Sequence, residues 1–183
     1  MQDPQSAVLT ALYHRKRDDA LRLAEGRSLT IWEAAALDRD ARVAELLDRD
    51  PSQLNAMSPD GYHPLALAAF FGAGSTVKRL LERGADVSTT ATHPMRVQAL
   101  HAAVASRSLD IVRLLLERGA DSNARQHMGY TPLMGAAGGG SSEMVDLLLQ
   151  HGADSGAVSD DGKTAADVAR EHGHTALADR LRR

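Results

Sequence analysis

Apolar positions in this chain recur in register over distances far longer than one helix. Segments 65–87, 100–122 and 133–155 superimpose without a gap. Each begins with a leucine (Leu65, Leu100, Leu133) and carries a valine twelve positions on (Val77, Val112, Val145). A leucine pair follows (Leu80 and Leu81, Leu115 and Leu116, Leu148 and Leu149), then Gly-Ala-Asp from Gly84, Gly119 or Gly152. Fainter copies are anchored at Ile31, with Val43, Leu46 and Leu47 at the same offsets, and at Ala166. A shortened unit starts at Val8, with Ala20 and Leu23 in matching places. The anchors 31, 65, 100, 133 and 166 stand 34, 35, 33 and 33 residues apart. A period of this length marks a repeat architecture.

Each unit reads as two helices and a turn. The first helix is short and holds adjacent alanines, as at Ala68 and Ala69 or Ala136 and Ala137, which lets neighbours approach closely. The second carries one apolar stripe at spacings of three and four, such as Val77, Leu80 and Leu81, or Ile111, Leu114 and Leu115. The glycine after it sits where a helix ends on a left-handed residue. A turn follows at Asp60-Gly61, Met128-Gly129 and Asp161-Gly162, where glycine supplies a positive φ. Pro64 and Pro132 fall at first helical positions, where a missing N–H is harmless. One such hairpin cannot bury its own stripe, so the units must stack into a solenoid with polar ends. The expected fold is all-α. Residues 1–28 are expected to form N-terminal capping helices. Repeats follow at about 29–60, 61–95, 96–128, 129–161 and 162–183, the last closing the C-terminal end.

The segments GYTPLMGAAGGGSSEMVDLLLQHGAD and QALHAAVASRSLDIVRLLLERGADSN resemble ankyrin repeats, the second keeping Leu100, His101 and Ala103 of the Thr-Pro-Leu-His-x-Ala pattern. The resemblance covers about residues 28–183. It departs from the pattern at His63 in place of Thr, at Met134 in place of His, and at Gln98 and Ala99 in place of Thr-Pro. Arg96 stands where the third turn should have glycine, and the approach STTATHPMRVQ is longer, so that finger is expected to be irregular. The resemblance implies L-shaped stacking, with turn tips and first helices lining a concave groove that recognises another protein. On that template the groove-facing positions are Met57, Tyr62, Phe70 and Phe71; then His93, Met95 and Val97; then Arg125, His127, Met128 and Tyr130. Exposed aromatics and methionines are the usual anchors of a protein interface. The competing expectation for Phe70 and Phe71, and also for Tyr62 and Tyr130, is packing beneath the neighbouring finger. Trp32 stands at the motif's histidine position and is expected in the core.

Composition narrows the function further. Aromatics are 3% of the chain, so the core must be built from Ala, Leu and Val. The net charge of −3 argues against a nucleic-acid partner. Arg180, Arg182 and Arg183 read as a solvated helix end. Cysteine is absent, which removes disulfides and thiolate metal sites. No run approaches the ~18 apolar residues of a membrane span, so a cytoplasmic protein is expected. Abundant Ala and Arg in place of Lys point to a GC-rich, bacterial source. Of eight histidines, His101 is the family's structural histidine, His63 is expected in a similar turn role, and His172 and His174 diverge on a helix. No phosphate loop or nucleophile elbow is present. Gly138, Gly139 and Gly140 follow a helix and read as its end. The expectation is a monomeric, non-catalytic module with no metal or cofactor, binding another protein. The rival readings are a small hydrolase using His and acidic residues in the groove, and a self-associating scaffold, a homodimer.

Overall fold

The computed structural model describes residues 6–182; residues 1–5 of the expected N-terminal cap, and Arg183, lie outside the described residues. Six helical hairpins follow one another. They are α1 (Ala7–Tyr13) with α2 (Arg17–Ala24), α3 (Ile31–Ala36) with α4 (Asp40–Arg49), and α5 (Pro64–Phe70) with α6 (Gly74–Glu82). Next come α7 (Ala99–Ala105) with α8 (Leu109–Glu117), α9 (Pro132–Gly138) with α10 (Ser142–Gln150), and α11 (Ala165–Glu171) with α12 (Thr175–Leu181). Helices α3, α5, α7, α9 and α11 stack side by side as an inner row, and α4, α6, α8 and α10 form an outer row.

One backbone feature ties every hairpin to its anchor. Seven residues after each anchor the chain turns through a left-handed residue: Arg15, Asp38, Gly72, Arg107, Gly140 and Gly173. The shortened N-terminal unit therefore obeys the same rule as the full repeats. It differs in having no finger, since α2 and α3 are joined directly. Outer helices α6, α8 and α10 end on Gly84, Gly119 and Gly152, with φ of 84°, 85° and 83°. Helix α4 has Asp50 there instead. Its chain stays extended and enters a 3-10 turn at Pro51–Asn55, capped by the Asp50 side chain accepting from the Ser52 amide.

The inner helices are capped by side chains that the sequence repeats in place. Thr30, Thr131 and Thr164 accept from the amides of Glu33, Met134 and Asp167. His63 does the same for α5 through Nδ1, 3.3 Å from the Ala66 amide. Gln98 caps nothing; its amide donates to the Ser88 carbonyl and to Thr90 Oγ1, bracing the long third finger. Asp38 reaches across to the next hairpin and accepts from the Thr76 amide at 2.8 Å.

The core follows the repeat. Leu65, Leu100 and Leu133, the three valines and the first leucine of each pair are almost wholly buried. So are the alanine pairs between inner helices. The second leucine of the pair is less constant: Leu81 and Leu116 are buried, whereas Leu149 is exposed and Leu147 is buried in its stead. Leu114, placed in the stripe by its spacing, is only half-buried, while Val112 and Leu116 complete the buried face. A smaller cluster of Val8, Leu9, Leu12, Ala20, Leu37 and Leu67 seals the N-terminal hairpin onto the array. Glu33 anchors the same joint. Its buried carboxylate accepts from Ser6 Oγ, Arg27 Nη2 and the Thr30 amide. Burial would raise its pKa, but these bonds and the Arg27 charge hold it below the ordinary value.

Candidate partner-binding groove

Between consecutive hairpins the chain projects a finger, and the fingers are joined by single backbone bonds. The Thr92 amide donates to the Gly61 carbonyl, the His127 amide to that of Met95, and the Asp160 amide to that of Met128. Within fingers, Ser58 bonds Tyr62, Ala91 bonds Val97, Gln126 bonds Tyr130 and Ser159 bonds Lys163 through the main chain. The third finger is longer, as expected, but it keeps both its own closing bond and its bonds to both neighbours. Its turn residue Arg96 takes φ +51°, the conformation that Gly61, Gly129 and Gly162 adopt in the other fingers. The turn thus survives the loss of glycine, at some conformational cost.

A hollow of about 430 Å³ opens between fingers and inner helices near the middle of the array. Its floor is built from small residues, Ala66, Ala102, Ala105 and Gly135. Tyr62, Phe70, Met95 and Val97 stand around it, with His101, Val104, Gln126 and Pro132. Phe70 and Met95, 43% and 41% exposed, stand together at this hollow. Four of the residues expected to face the groove are therefore gathered at one hollow.

Tyr13, which the sequence reading missed, completes the wall. Its ring lies 5.4 Å from that of Phe71 and 6.3 Å from that of Phe70, and its hydroxyl donates to Asp60 Oδ2 at 2.9 Å. Burial and the bond to Asp60 raise its pKa well above the usual phenol range. The N-terminal hairpin is thus a cap and also a part of the groove. Its signal in the sequence was present but faint, being one aromatic in a unit whose spacing to the next is shortened.

The other expected groove residues are placed as follows. Phe71 meets Phe70 edge-to-face at 5.1 Å and packs partly buried beside Tyr13 of the N-terminal hairpin. His93 stacks on Tyr62 at 5.0 Å and its Nδ1 accepts from the Met95 amide. Burial and the nearby Asp60 charge raise the Tyr62 pKa. Tyr130 packs partly buried on the main core and does not line the hollow. Arg125 braces two fingers, donating to the Val158 carbonyl and lying 3.5 Å from Asp160. Met128 (45% exposed) and His127 stand on the fourth fingertip, and Met57 is half-buried near the second.

The histidines with assigned bonds serve the backbone. His101 Nε2 pairs with the Ala124 carbonyl at 3.1 Å, and His172 Nδ1 with the Val168 carbonyl at 2.9 Å. Trp32, at the same repeat position as His101, donates its indole N–H to the Ala56 carbonyl at 2.9 Å, so it performs the histidine's task from a half-buried site. Burial pushes His63 down to about 4 and lowers His101 as well. Among the described residues no three His, Asp or Glu side chains converge as a metal site. No helix among them is long and apolar enough to cross a membrane.

Comparison with known proteins gives one consistent result. A family model for ankyrin repeats (three copies) matches residues 31–126 and 100–182. Ankyrin repeat and SAM domain-containing protein 6 of Rattus norvegicus is 37% identical over 108 residues, 58% of this chain and 12% of the rat protein. The neurogenic locus Notch protein of Drosophila melanogaster is 40% identical over 105 residues, 55% of this chain and 4% of the fly protein. Protein phosphatase 1 regulatory subunit 27 of Mus musculus is 40% identical over 86 residues, 47% of this chain and 56% of the mouse protein. The chain spans less than two thirds of each of these relatives. With the repeat in the sequence, the stacked hairpins and fingers, and a family model that fits from Ile31 to Arg182, the chain belongs to the ankyrin-repeat family.

Proposed function

We propose that the chain is a cytoplasmic, non-catalytic module that holds another protein in the groove between its fingers and inner helices. Membership in a family of protein-interaction arrays supports the general class of activity. The observation that carries the specific reading is the hollow walled by Tyr13, Tyr62, Phe70 and Met95. Its volume lies within the range of ligand-sized pockets and suits one large apolar side chain of a guest. Aromatic walls around a small-residue floor are the arrangement in which a few contacts dominate binding. Of the residues chosen from sequence, we assign contact with the guest to Tyr62, Phe70, Met95 and Val97, add Tyr13, and give His93 and Phe71 the task of fixing those rings.

The test is affinity capture from the native host with the wild-type chain and with Tyr62→Ala/Phe70→Ala, read by quantitative mass spectrometry. A protein recovered by the wild type should fall about tenfold or more in the variant, while the melting temperature stays close to the original. Equal recovery would remove the groove from the reading.

A further inference from the structure

We propose that the guest is an acidic peptide segment, which inserts one apolar side chain into the hollow and lays carboxylates against Arg96 and Arg107. This rests on the groove being the docking face and adds the chemistry of what docks there.

Charge is the first ground. The chain is acidic overall, at −3, yet it has no Asp or Glu between Asp86 and Asp110, nor between Asp121 and Glu143. Those two stretches build the third and fourth fingers and their inner helices, and supply most of the hollow's lining. What formal charge they hold is positive: Arg96, Arg107 and Arg125. The nearest rim carboxylates are already engaged. Asp60 accepts from Tyr13 and Ser58, and Asp160 faces Arg125. Outer-helix arginines such as Arg79 and Arg83 have acidic partners across the repeats. Arg96 and Arg107 form no ion pair among the described residues. An apolar cleft edged by unpaired cations complements a guest of opposite sign.

Position is the second ground. Arg96 stands in the chain between Met95 and Val97, which line the hollow on the finger side, and Arg107 comes two residues after Ala105, which lines it on the helix side; neither arginine is itself part of the lining. The Arg107 guanidinium lies over Gly139, where a Cβ would sit 3.9 Å from Nη2. A chain running between fingers and helices passes between the two. Both arginines also take left-handed conformations, φ +51° and +57°, at places that other repeats fill with Gly61, Gly129 and Gly162, or with Gly72, Gly140 and Gly173. Arg15 and Asp38 share the second of these places in the first two hairpins, and there Asp38 has a visible task, capping the Thr76 amide. Among the described residues neither arginine of the third repeat makes a side-chain hydrogen bond or ion pair; their amides only close the turns, on the His93 and Val104 carbonyls. Each is less favourable for the turn than glycine. Two isolated cations beside an apolar hollow are too few for a phosphate backbone, which calls for a basic stripe.

The test uses the whole chain as bait for a phage library of random peptides of about twelve residues. Enriched peptides should carry Asp or Glu around a Leu, Ile, Phe or Trp. Their binding should fall about tenfold with Phe70→Ala. It should fall similarly with Arg96→Gly/Arg107→Gly, and as salt rises from about 50 to about 300 mM. The double glycine variant should melt at the same or a higher temperature, which separates lost binding from lost folding. Peptides that need Phe70 but are basic, or indifferent to both arginines, would sink the acidic guest and leave the groove standing. If no enriched peptide depends on Phe70, both readings fall. Enrichment of this chain's own acidic segments, with a dimer by light scattering, would assign the face to a second copy and overturn a foreign partner.

Discussion

Helices α5 and α9 start alike and finish in opposite ways. Both open on proline after a capping residue, and both carry the buried alanine pair. Then α5 runs into Phe70, Phe71 and Gly72, while α9 runs into Gly138, Gly139 and Gly140. The next inner helix explains the difference. Two residues after its anchor, α7 has Ala102, which lines the hollow together with Phe70. At that place α11 has Val168, and a Cβ on Gly138 would lie 3.0 Å from Val168 Cγ1. Gly135 is held the same way by Val104 Cγ1, at 3.1 Å. One repeat position therefore builds surface at the N-terminal side of the groove and close packing at the other. Of the three glycines that resemble a ligand loop, Gly138 is held small by the neighbouring helix and Gly140 by its left-handed turn.

The largest effect should come from copying α5 onto α9. Gly138→Phe would drive a ring into Val168 and His172, and overpacking of this kind costs about 3 kcal/mol. Urea unfolding should register that loss. A loss below about 1 kcal/mol would mean that α9 and α11 are free to part, and the packing account of the glycines would fail.

The second contrast is at the other end of the same helices, where His63 caps α5 and Thr131 caps α9. Threonine does not titrate; His63 does, and burial has lowered it to about 4. The unfolded histidine, near 6.5, takes up a proton before the folded one. Stability is therefore full above about pH 6.5 and is lost as pH falls toward 4, by about 2 kcal/mol at pH 5. Urea midpoints measured from pH 7 to pH 5 should fall for the wild type and less steeply for His63→Thr. His101 is shifted the same way and stays in both proteins, so the difference between their slopes isolates His63. Parallel slopes would show that the cap is not the titrating element.

These contrasts also mark what the sequence could and could not reveal. The anchors, alanine pairs, first-turn prolines and helix-ending glycines were legible because each depends on its own unit and recurs. The hollow was legible in part. Tyr62, Phe70, Met95 and Val97 were chosen from their place in the repeat, and the structure sets them around one cavity. Tyr130 was chosen by the same rule and lies against the core. Tyr62 has His93 of the next finger to stack on, whereas the residue after the bridging amide beyond Tyr130 is Asp161, which offers no ring. Tyr13 escaped notice because its position depends on α1 docking against α3 in a unit that has lost its finger. Such choices rest on contacts between repeats, which a single repeat's pattern does not encode.

The smallest effect sought concerns how the N-terminal hairpin is held at the aromatic side. Two attachments compete: the Tyr13 hydroxyl on Asp60, and the Tyr13 ring against Phe70 and Phe71. Tyr13→Phe keeps the rings and deletes the hydroxyl. The bond is part-exposed and Asp60 keeps Ser58 as a partner, so the loss should be about 1 kcal/mol or less. It should also be local. Amide exchange should quicken in α1 and α2 and stay unchanged in α9 to α12, because stacked repeats communicate chiefly with their neighbours. Unchanged exchange in α1 would assign the attachment to the rings alone. Equal quickening at both ends would mean that the array unfolds as one unit, and the division into an aromatic side and a glycine side would then describe shape but not stability.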